Sequence, residues 1–240
     1  MALRRVDRRS VTDEVFDQLL ADMIDGELAA GEPLPSERRL AEVLGVSRPA
    51  VREAIQRMTH AGLVQVRQGG GTVVKDYRQH AGLDLLPRLL SPSGQPDPKV
   101  VRSILEARLH VGPKIAMLAA ERGGKRLANP LAAAVDALDA AAGDAVTQQQ
   151  HALTFWDHVV DGADSIAFRL MFNGLRAAYE PAIGALTTAM AAEVTRVDNY
   201  RLLAAAIVAG DVDATRTAAL DLLSPATSAM LTVLDRLEEL

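Results

Sequence analysis

Residues 31–73 read GEPLPSERRLAEVLGVSRPAVREAIQRMTHAGLVQVRQGGGTV, and this stretch decides the fold of the first part of the chain. Ser36 and Ser47 each precede a short segment of helical periodicity, at the position where a serine caps a helix. Gly45 lies between the two segments, where a left-handed residue ends the first helix. Beyond Gly62 the period changes to two, and three consecutive glycines form a turn, which is typical of a β-hairpin. The stretch therefore predicts a winged helix-turn-helix, which reads double-stranded DNA with its second helix.

Arginine side chains mark the second helix of this motif as the element that contacts DNA. Arg48 and Arg52 are four residues apart and project from one helical face, opposite the apolar stripe. An arginine in the major groove binds guanine with two hydrogen bonds, and we expect Arg38 and Arg39 to reach the phosphates or the groove wall. A single arginine on an exposed helix face more often serves only to keep that face hydrophilic. Here, however, the paired arginines occur together with a turn, a capped second helix and a glycine wing, and this combination favours DNA contact. The other expected contacts are Ser47, Pro49, Ala50, Arg67, Gln68 and Gly69.

Composition limits the fold and the chemistry of the whole chain. Nearly half of the 240 residues are apolar and only 3% are aromatic, which favours α-helices that pack through small residues. The absence of cysteine excludes disulfides, zinc fingers and thiol catalysis. The N-terminal arginines are not followed by an apolar segment, and no run of about 18 uncharged apolar residues occurs. We therefore expect a cytoplasmic protein without a membrane partner.

The net charge of −5 is unevenly distributed along the chain. Residues 1–79 contain twelve basic and twelve acidic residues, whereas residues 80–240 supply the whole excess of negative charge. Between Arg38 and Arg67, six arginines stand against two glutamates, which is a local charge of +4. Because charges more than roughly 8 Å apart are screened at cellular salt, the local patch decides the attraction to phosphate. The first part of the chain is therefore expected to contact DNA.

Helix-breaking residues divide the chain into two domains joined by a linker. Residues 1–78 form the predicted winged helix-turn-helix domain. The linker, residues 79–98, contains the apolar run LDLLPRLL, which we expect to pack on one side, and then the breaker cluster SPSGQPDP. Residues 99–240 show only helical periodicity, with breaks that separate about seven helices. The predicted fold class is mainly α, with a small β-hairpin wing in the first domain and an all-α second domain.

The segment LPSERRLAEVLGVSRPAVREAIQRMTHAGLV closely resembles the N-terminal domain of the GntR family of bacterial transcription regulators. The resemblance implies that Arg38, Arg48 and Arg52 are the main DNA contacts, beside the other residues named above. Pro49 and Ala50 replace hydroxyl residues that some members carry. The operator sequences of those members are therefore not expected to apply to this chain.

The second part of the chain resembles the effector domain of the FadR-like branch of the same family. Arg102, Leu105 and Glu106 match the Arg-x-x-Leu-Glu motif that opens this domain, and residues 206–223 match the junction of its last two helices. The resemblance thus covers nearly the whole chain. It implies an antiparallel helical bundle that dimerises the protein and binds a small-molecule effector in its core.

Many members of this branch hold a metal ion, but this chain lacks their ligands. The four corresponding positions carry His151, Phe155, Tyr200 and Leu222, and three of these cannot serve as ordinary zinc or nickel ligands. His151 and His158 share a helix face but lie roughly 10.5 Å apart along the axis, so the pair cannot chelate one ion alone. We therefore predict no metal site.

The favoured ligand of the helical domain is apolar. Phenylalanine and leucine at two of these positions give an apolar pocket, as in the fatty-acyl-CoA-responsive members, and residues 171–181 resemble the corresponding segment of those regulators. We expect a fatty-acyl-CoA or another lipid-like effector and no other cofactor. The alternatives are that the apolar residues only pack the core, and that Arg102 pairs with Glu106 instead of holding a ligand carboxylate or thioester oxygen. The predicted pocket residues are Arg102, Glu106, Phe155, Asn173, Tyr179, Tyr200 and Leu222.

These expectations together describe a homodimeric regulator, usually a repressor, that binds operator DNA and responds to an effector through its C-terminal domain. The alternatives are a metal- or carboxylate-responsive regulator and a regulator without a ligand. An enzyme is disfavoured, because the chain shows no nucleophile elbow, no metal ligand set and no phosphate-binding glycine loop before a helix. The glycines at 69–71 lie between predicted strands, so they are interpreted as the wing.

Overall fold

A computed structural model describes residues 10–67, 69–90 and 96–238. The chain divides into two compact units between Pro96 and Asp97. The N-terminal unit contains five helices, a 3-10 turn and one antiparallel hairpin within the described residues. They are α1 (Val11–Ile24), α2 (Glu37–Leu44), α3 (Arg48–His60), β1 (Val64–Arg67), β2 (Gly71–Val74), α4 (Tyr77–His80), a 3-10 turn (Leu83–Leu85) and α5 (Leu86–Leu90).

Local sequence signals account for the helix-turn-helix. The hydroxyls of Ser36 and Ser47 accept hydrogen bonds from the backbone N–H groups three residues later, at 3.3 and 3.4 Å, and so cap α2 and α3. Gly45 ends α2 with φ of 65°, a left-handed conformation that favours glycine. Gly62 follows α3 with φ of 74°, and a Cβ at this position would lie 2.3 Å from the carbonyl oxygen of His80. Glycine is therefore required there by both conformation and space.

The wing is a short hairpin held by the segment that precedes α2. Val64 pairs with Val74 and Arg67 pairs with Gly71 across the two strands. The N–H of Leu34 donates to the carbonyl of Thr72 at 2.8 Å, next to a bridge between Pro33 and Val73. These contacts add a third extended segment to the hairpin, in which Gly69 and Gly70 of the turn are exposed.

The first half of the predicted linker packs on the N-terminal unit. Leu85 is buried in the same core as α1 and α3. Arg88 donates to Asp13 at 3.0 Å and to Asp17, and its guanidinium lies 4.3 Å from the ring centre of Phe16. Charge and apolar contact together attach α5 to α1. Residues 91–95 of the predicted linker lie outside the described residues.

The C-terminal unit is entirely helical within the described residues, so the mainly α fold class is confirmed. Its helices surround a core in which Phe155 contacts Tyr200 edge to face, with ring centres 5.1 Å apart. The longest helices, α6 and α12, pack against each other, and α12 also packs on α10 and α11. The helices are α6 (Pro98–Arg122), α7 (Ala128–Ala140), α8 (Ala145–Gly162), α9 (Ile166–Tyr179), α10 (Thr187–Val194), α11 (Val197–Ala209) and α12 (Val212–Glu238).

Helix α12 is both long and apolar. Its segment Val212–Arg236 is long and apolar enough, by length and composition alone, to cross a membrane. The core helix of a water-soluble bundle meets the same criterion. Leu222 and Leu223 of this helix are buried in the core of the unit.

Candidate DNA-binding surface and effector cavity

Helix α3 packs on the N-terminal unit through one face and exposes the other. Val51, Ala54 and Met58 are completely buried against the rest of the N-terminal unit. The turn before α3 is closed by a hydrogen bond of 3.1 Å from the N–H of Val46 to the carbonyl of Ala41. These contacts lie on one face of α3, and the opposite face is exposed. Arg48, Pro49 and Arg52 are exposed on that side, Ser47 is exposed at the N-cap, and Ala50 is half-buried at the edge of the packed face.

Glu37 of α2 holds Arg52 across the turn between the two helices. The Nε of Arg52 donates to both carboxylate oxygens of Glu37 at 3.1 and 3.2 Å, and Nη2 donates to one of them at 2.9 Å. The hydrogen bond from Arg52, followed by the charges of Arg52 and Arg48, lowers the pKa of Glu37. Glu37 is thus ionised at neutral pH, and any DNA atom that binds Arg52 must compete with it or extend the same network.

Arg38 and Arg39 lie in the first turn of α2 and remain highly exposed. Their nearest acidic partner is Glu42, at 3.7 and 3.8 Å respectively, and the two side chains are 75% and 67% exposed. Such distant pairs on a surface contribute little to stability. Both guanidinium groups are therefore available for phosphate oxygens.

The wing contributes one further arginine. Arg67 is the last residue of β1 and is exposed, and Gly69 follows with φ of 74°. Gln68, the third wing residue predicted to contact DNA, lies outside the described residues. Val66, at 61% exposure, adds an apolar side chain to the same strand.

A cavity of about 120 Å³ lies inside the C-terminal unit, between α6, α8, α9, α10 and α12. Its walls are mainly apolar, and among them are Ile115, Leu153, Trp156, Leu175 and Met190. Five polar or charged residues also line it: Arg108, Gln149, Arg176, Tyr179 and Glu193. The cavity therefore combines an apolar body with a few placed polar groups, which is typical of a small-molecule site.

The main polar cluster of this cavity is centred on Glu193. Arg108 donates one hydrogen bond to Oε1 of Glu193, and Tyr200 donates another to the same oxygen at 3.2 Å. Burial disfavours the charge on Arg108, but the neighbouring carboxylate outweighs it, so the pKa of Arg108 is raised. Burial and then the charge of Glu193 raise the pKa of Tyr200. Arg108 is therefore charged and Tyr200 neutral at physiological pH.

A second polar contact lies at the α8–α9 side of the cavity. Tyr179 donates its hydroxyl hydrogen to the side-chain oxygen of Gln149. The amide nitrogen of Gln149 donates in turn to the carbonyl of Ile183 at 3.2 Å. Burial raises the pKa of Tyr179, which therefore stays protonated and acts as a donor.

Residues 11–74 match the gntR family of bacterial regulatory proteins, and residues 103–224 match the FCD domain. The chain belongs to the GntR family. It is 57% identical over 234 residues to the HTH-type transcriptional regulator Mce2R of Mycobacterium tuberculosis, covering 98% of this chain and 97% of that protein. The GntR chain is thus a transcription regulator with an N-terminal DNA-binding domain and a C-terminal FCD effector-binding domain, which confirms the resemblance to the FadR-like branch.

This GntR chain is also similar to a more distant regulator and to a solved structure. It is 30% identical over 95 residues to the fatty acid metabolism regulator protein of Vibrio cholerae, covering 40% of this chain and 34% of that protein. The solved structure of Lar, which controls the expression of the agr system of Listeria monocytogenes, has a TM-score of 0.60 with 17% identity. That alignment covers 95% of this chain and 99% of Lar, and at this identity it shows the fold alone.

The predicted pocket residues occupy three different places in the C-terminal unit. Tyr179 lines the cavity. Phe155, Tyr200 and Leu222 belong to the buried core, where Phe155 and Tyr200 are in ring contact and Tyr200 reaches the cavity cluster through Glu193. The other three lie outside the cavity wall: Arg102 donates to Asp235 at 2.6 Å, and Glu106 and Asn173 are exposed.

The sequence prediction missed Arg108 and Glu193, although both left a signal. Each charged residue lies on the apolar stripe of its helix at helical spacing. On α6 the stripe runs through Leu105, Arg108, Gly112 and Ile115, and on α10 Glu193 is buried together with Met190 and Val194. A single charge on a buried stripe requires a partner, so two stripes with opposite charges point to a buried pair.

Three of the four positions that the resemblance aligns with metal ligands carry residues that are not ordinary ligands here. Phe155, Tyr200 and Leu222 form part of the packed core. Within residues 10–67, 69–90 and 96–238, no group of three or more histidine, aspartate or glutamate side chains is arranged to hold a metal ion.

Proposed function

We propose that this regulator recognises an operator by inserting the N-terminal end of α3 into the major groove. The observation that supports this is the capped and buried attachment of α3, which leaves Arg48 and Arg52 on its exposed face. Arg48 and Arg52 are proposed to read base edges, and Arg38 and Arg39 to bind phosphates. Arg67, Gln68 and Gly69 are proposed to follow the adjacent minor groove, while Ser47, Pro49 and Ala50 lie against the DNA beside the arginines.

The experiment that tests this proposal is footprinting on a site selected from random DNA. An arginine that binds guanine with two hydrogen bonds contributes about 1–3 kcal/mol of discrimination. We therefore expect Arg48→Ala to lose about 5- to 150-fold in affinity and to relax the base preference at one position. Arg216→Ala is the matched control, because Arg216 is an exposed arginine of α12. Unchanged operator protection by Arg48→Ala would refute the assignment of α3.

We further propose that the regulator acts in the cytoplasm as a homodimer formed through its C-terminal domains, and that it represses until an effector binds. A dimer matches the two half-sites of an operator, which lie one helical turn apart. The effector acts only if it binds one conformation of the protein better than another. Mass photometry at nanomolar concentration tests the dimer, and a transcription assay with the selected site tests repression.

The proposed effector is a small apolar or acyl-type molecule in the C-terminal cavity. Its mainly apolar walls support this. The cavity volume of about 120 Å³ is smaller than an apolar cavity of about 150 Å³ that admits benzene. A fatty-acyl-CoA or a lipid would therefore either extend out of the cavity or separate the helices that line it, and the second case would couple its binding to a change of conformation.

Native mass spectrometry of freshly purified protein tests the class of effector. A co-purified lipid or acyl mass, lost on mild organic extraction, is the expected result. Stoichiometric metal would instead support a metal-responsive regulator and contradict the apolar effector. A protein that carries no ligand, and whose DNA affinity no acyl compound changes, would support a ligand-independent regulator.

A further inference from the structure

Glu37 connects the two helices of the helix-turn-helix from a position that packing fixes. It is the first residue of α2, directly after the Ser36 cap. Leu40 and Ala41 bury the inner face of α2, and the N–H of Val46 donates to the carbonyl of Ala41 at 3.1 Å in the turn that leads to α3. The carboxylate of Glu37 therefore reaches α3 from a well-supported backbone.

This carboxylate occupies one edge of the Arg52 guanidinium. The hydrogen bonds of 2.9, 3.1 and 3.2 Å come from Nε and Nη2 of Arg52, the two nitrogens whose N–H groups share this edge. A guanidinium carries five N–H donors in one plane, so two donors on Nη1 and one on Nη2 remain. Within the part of the chain that the structure describes, Nη1 of Arg52 donates no hydrogen bond. The remaining edge, formed by Nη1 and Nη2, has the geometry that binds O6 and N7 of guanine.

Arg48 lies four residues earlier on the exposed face of α3, but no residue holds it in this way. Its side chain makes no hydrogen bond or ion pair with any of the residues 10–67, 69–90 and 96–238. A long side chain without a partner samples several rotamers and loses this freedom when it binds. Arg52 is 61% exposed and yet oriented by a carboxylate, so its guanidinium is positioned before any DNA binds.

We propose that Glu37 determines operator specificity by positioning Arg52, so that Arg52 meets the DNA with its Nη1–Nη2 edge and binds one guanine through two hydrogen bonds. A guanidinium held on its other edge cannot rotate to suit a different base. The carboxylate also repels phosphate oxygens, which disfavours the binding of Arg52 to the DNA backbone. This inference rests on the proposed function, because it requires the exposed face of α3 to enter the major groove.

The test measures base discrimination by the full-length protein. Competition binding to every single-base variant of the site selected from random DNA gives the ratio of dissociation constants at each base pair. Arg52→Ala identifies the base pair that Arg52 reads, as the position where the preference is lost. A bidentate arginine discriminates there by about 5- to 150-fold, and Glu37→Gln should reduce this ratio to less than about a third of its value.

Two further variants separate positioning from charge. Glu37→Asp keeps the charge but shortens the side chain by one methylene group, so it cannot keep the contacts without moving Arg52, and it should also reduce the ratio to less than about a third. Glu42→Gln is the matched control, because Glu42 is an acidic residue of α2 that lies 3.7 and 3.8 Å from Arg38 and Arg39. It should bind unrelated DNA roughly twofold more tightly and leave the ratio at the Arg52 base pair unchanged. Circular dichroism confirms that each variant is folded.

Three results would overturn the inference. One is an unchanged ratio in both Glu37 variants, and another is an equal loss in Glu42→Gln. The third is a ratio that falls in Glu37→Gln but stays at its natural value in Glu37→Asp, because charge alone then suffices.

The failure of the proposed function gives a different result, since Arg48→Ala then leaves operator protection unchanged. If Arg48→Ala loses protection while the Glu37 variants keep full discrimination, α3 remains the reading helix and only the inference fails. The same holds if Arg52→Ala changes the preference at no base pair.

Discussion

Replacing Arg108 and Glu193 by apolar residues, singly and together, measures how much the ion pair contributes to the free energy of unfolding. The single variants leave one buried charge without its partner, whereas the combined replacement removes both charges. Either single variant, Arg108→Met or Glu193→Leu, leaves the other charge in a mainly apolar region. Breaking a buried ion pair in this way costs about 3–5 kcal/mol. Glu193 is almost fully buried, but 25% of the Arg108 side chain is exposed. We therefore take the lower end, about 3 kcal/mol, for each single variant.

A variant that combines Arg108→Met and Glu193→Leu should recover most of the stability that each single variant loses. Apolar replacement of both partners of a buried pair is often neutral, because the desolvation of two charges is avoided. Tyr200 would then lack the acceptor to which it now donates at 3.2 Å, so Tyr200→Phe is added as a third substitution. We expect the triple variant to lie within about 1 kcal/mol of the natural protein.

Thermal unfolding of the full-length protein followed by circular dichroism measures these differences. For a unit of this length, about 1 kcal/mol changes Tm by roughly 2–4 °C. Each single variant should therefore lower the Tm of the C-terminal unit by about 6–12 °C, and the triple variant by less than about 4 °C. If the decrease in Tm of the triple variant instead equals the sum of the decreases of the single variants, Arg108 and Glu193 are not energetically coupled. That result would refute the stabilising role assigned to their pairing.

Three further predictions concern the N-terminal unit. The pKa of Asp13 is lowered from its ordinary 3.8, mainly by a hydrogen bond from Ser10 and then by Arg88. The ionised carboxylate of Asp13 therefore stabilises the folded state above pH 3.8, and this stabilisation is lost as the pH falls through the lower pKa of the folded state. Urea unfolding between pH 6 and 3 should therefore show a weaker pH dependence in Asp13→Asn. Gly45→Ala forces alanine into a left-handed conformation and should lower the free energy of unfolding by about 1–2 kcal/mol, measured in urea. Ser47→Ala removes the cap of α3 and should cost about 1 kcal/mol in the same assay.

Short-range signals explain why the DNA-binding unit was predictable from sequence. Its caps, its glycine turn and its hairpin depend on residues a few positions apart, so their consequences are local. The same signals placed Arg48 and Arg52 on the exposed face of α3. The pairing of Arg52 with Glu37 was not predicted, because it depends on the angle between α2 and α3.

The cavity was less predictable, since its walls come from five helices far apart in the chain. Helical periodicity identifies which face of each helix is buried, but it does not show which faces meet. Phe155 and Leu222 were expected at the pocket and instead pack in the core, while Arg108 and Glu193 meet from positions 85 residues apart. That contact joins α6 to α10, and α8 and α12 each pack on both of these helices.

The amino-acid sequence by itself determined the division into a DNA-binding part and a helical part, the family, and the exposed arginines of α3. These follow from periodicity, caps and short motifs, which act over one or two turns of chain. Only the tertiary structure decided that Glu37 pairs with Arg52, that α5 packs on α1, and that Arg108 pairs with Glu193 beside the cavity of the C-terminal unit. Burial and pairing depend on which surfaces come into contact, and that is a property of the packed molecule.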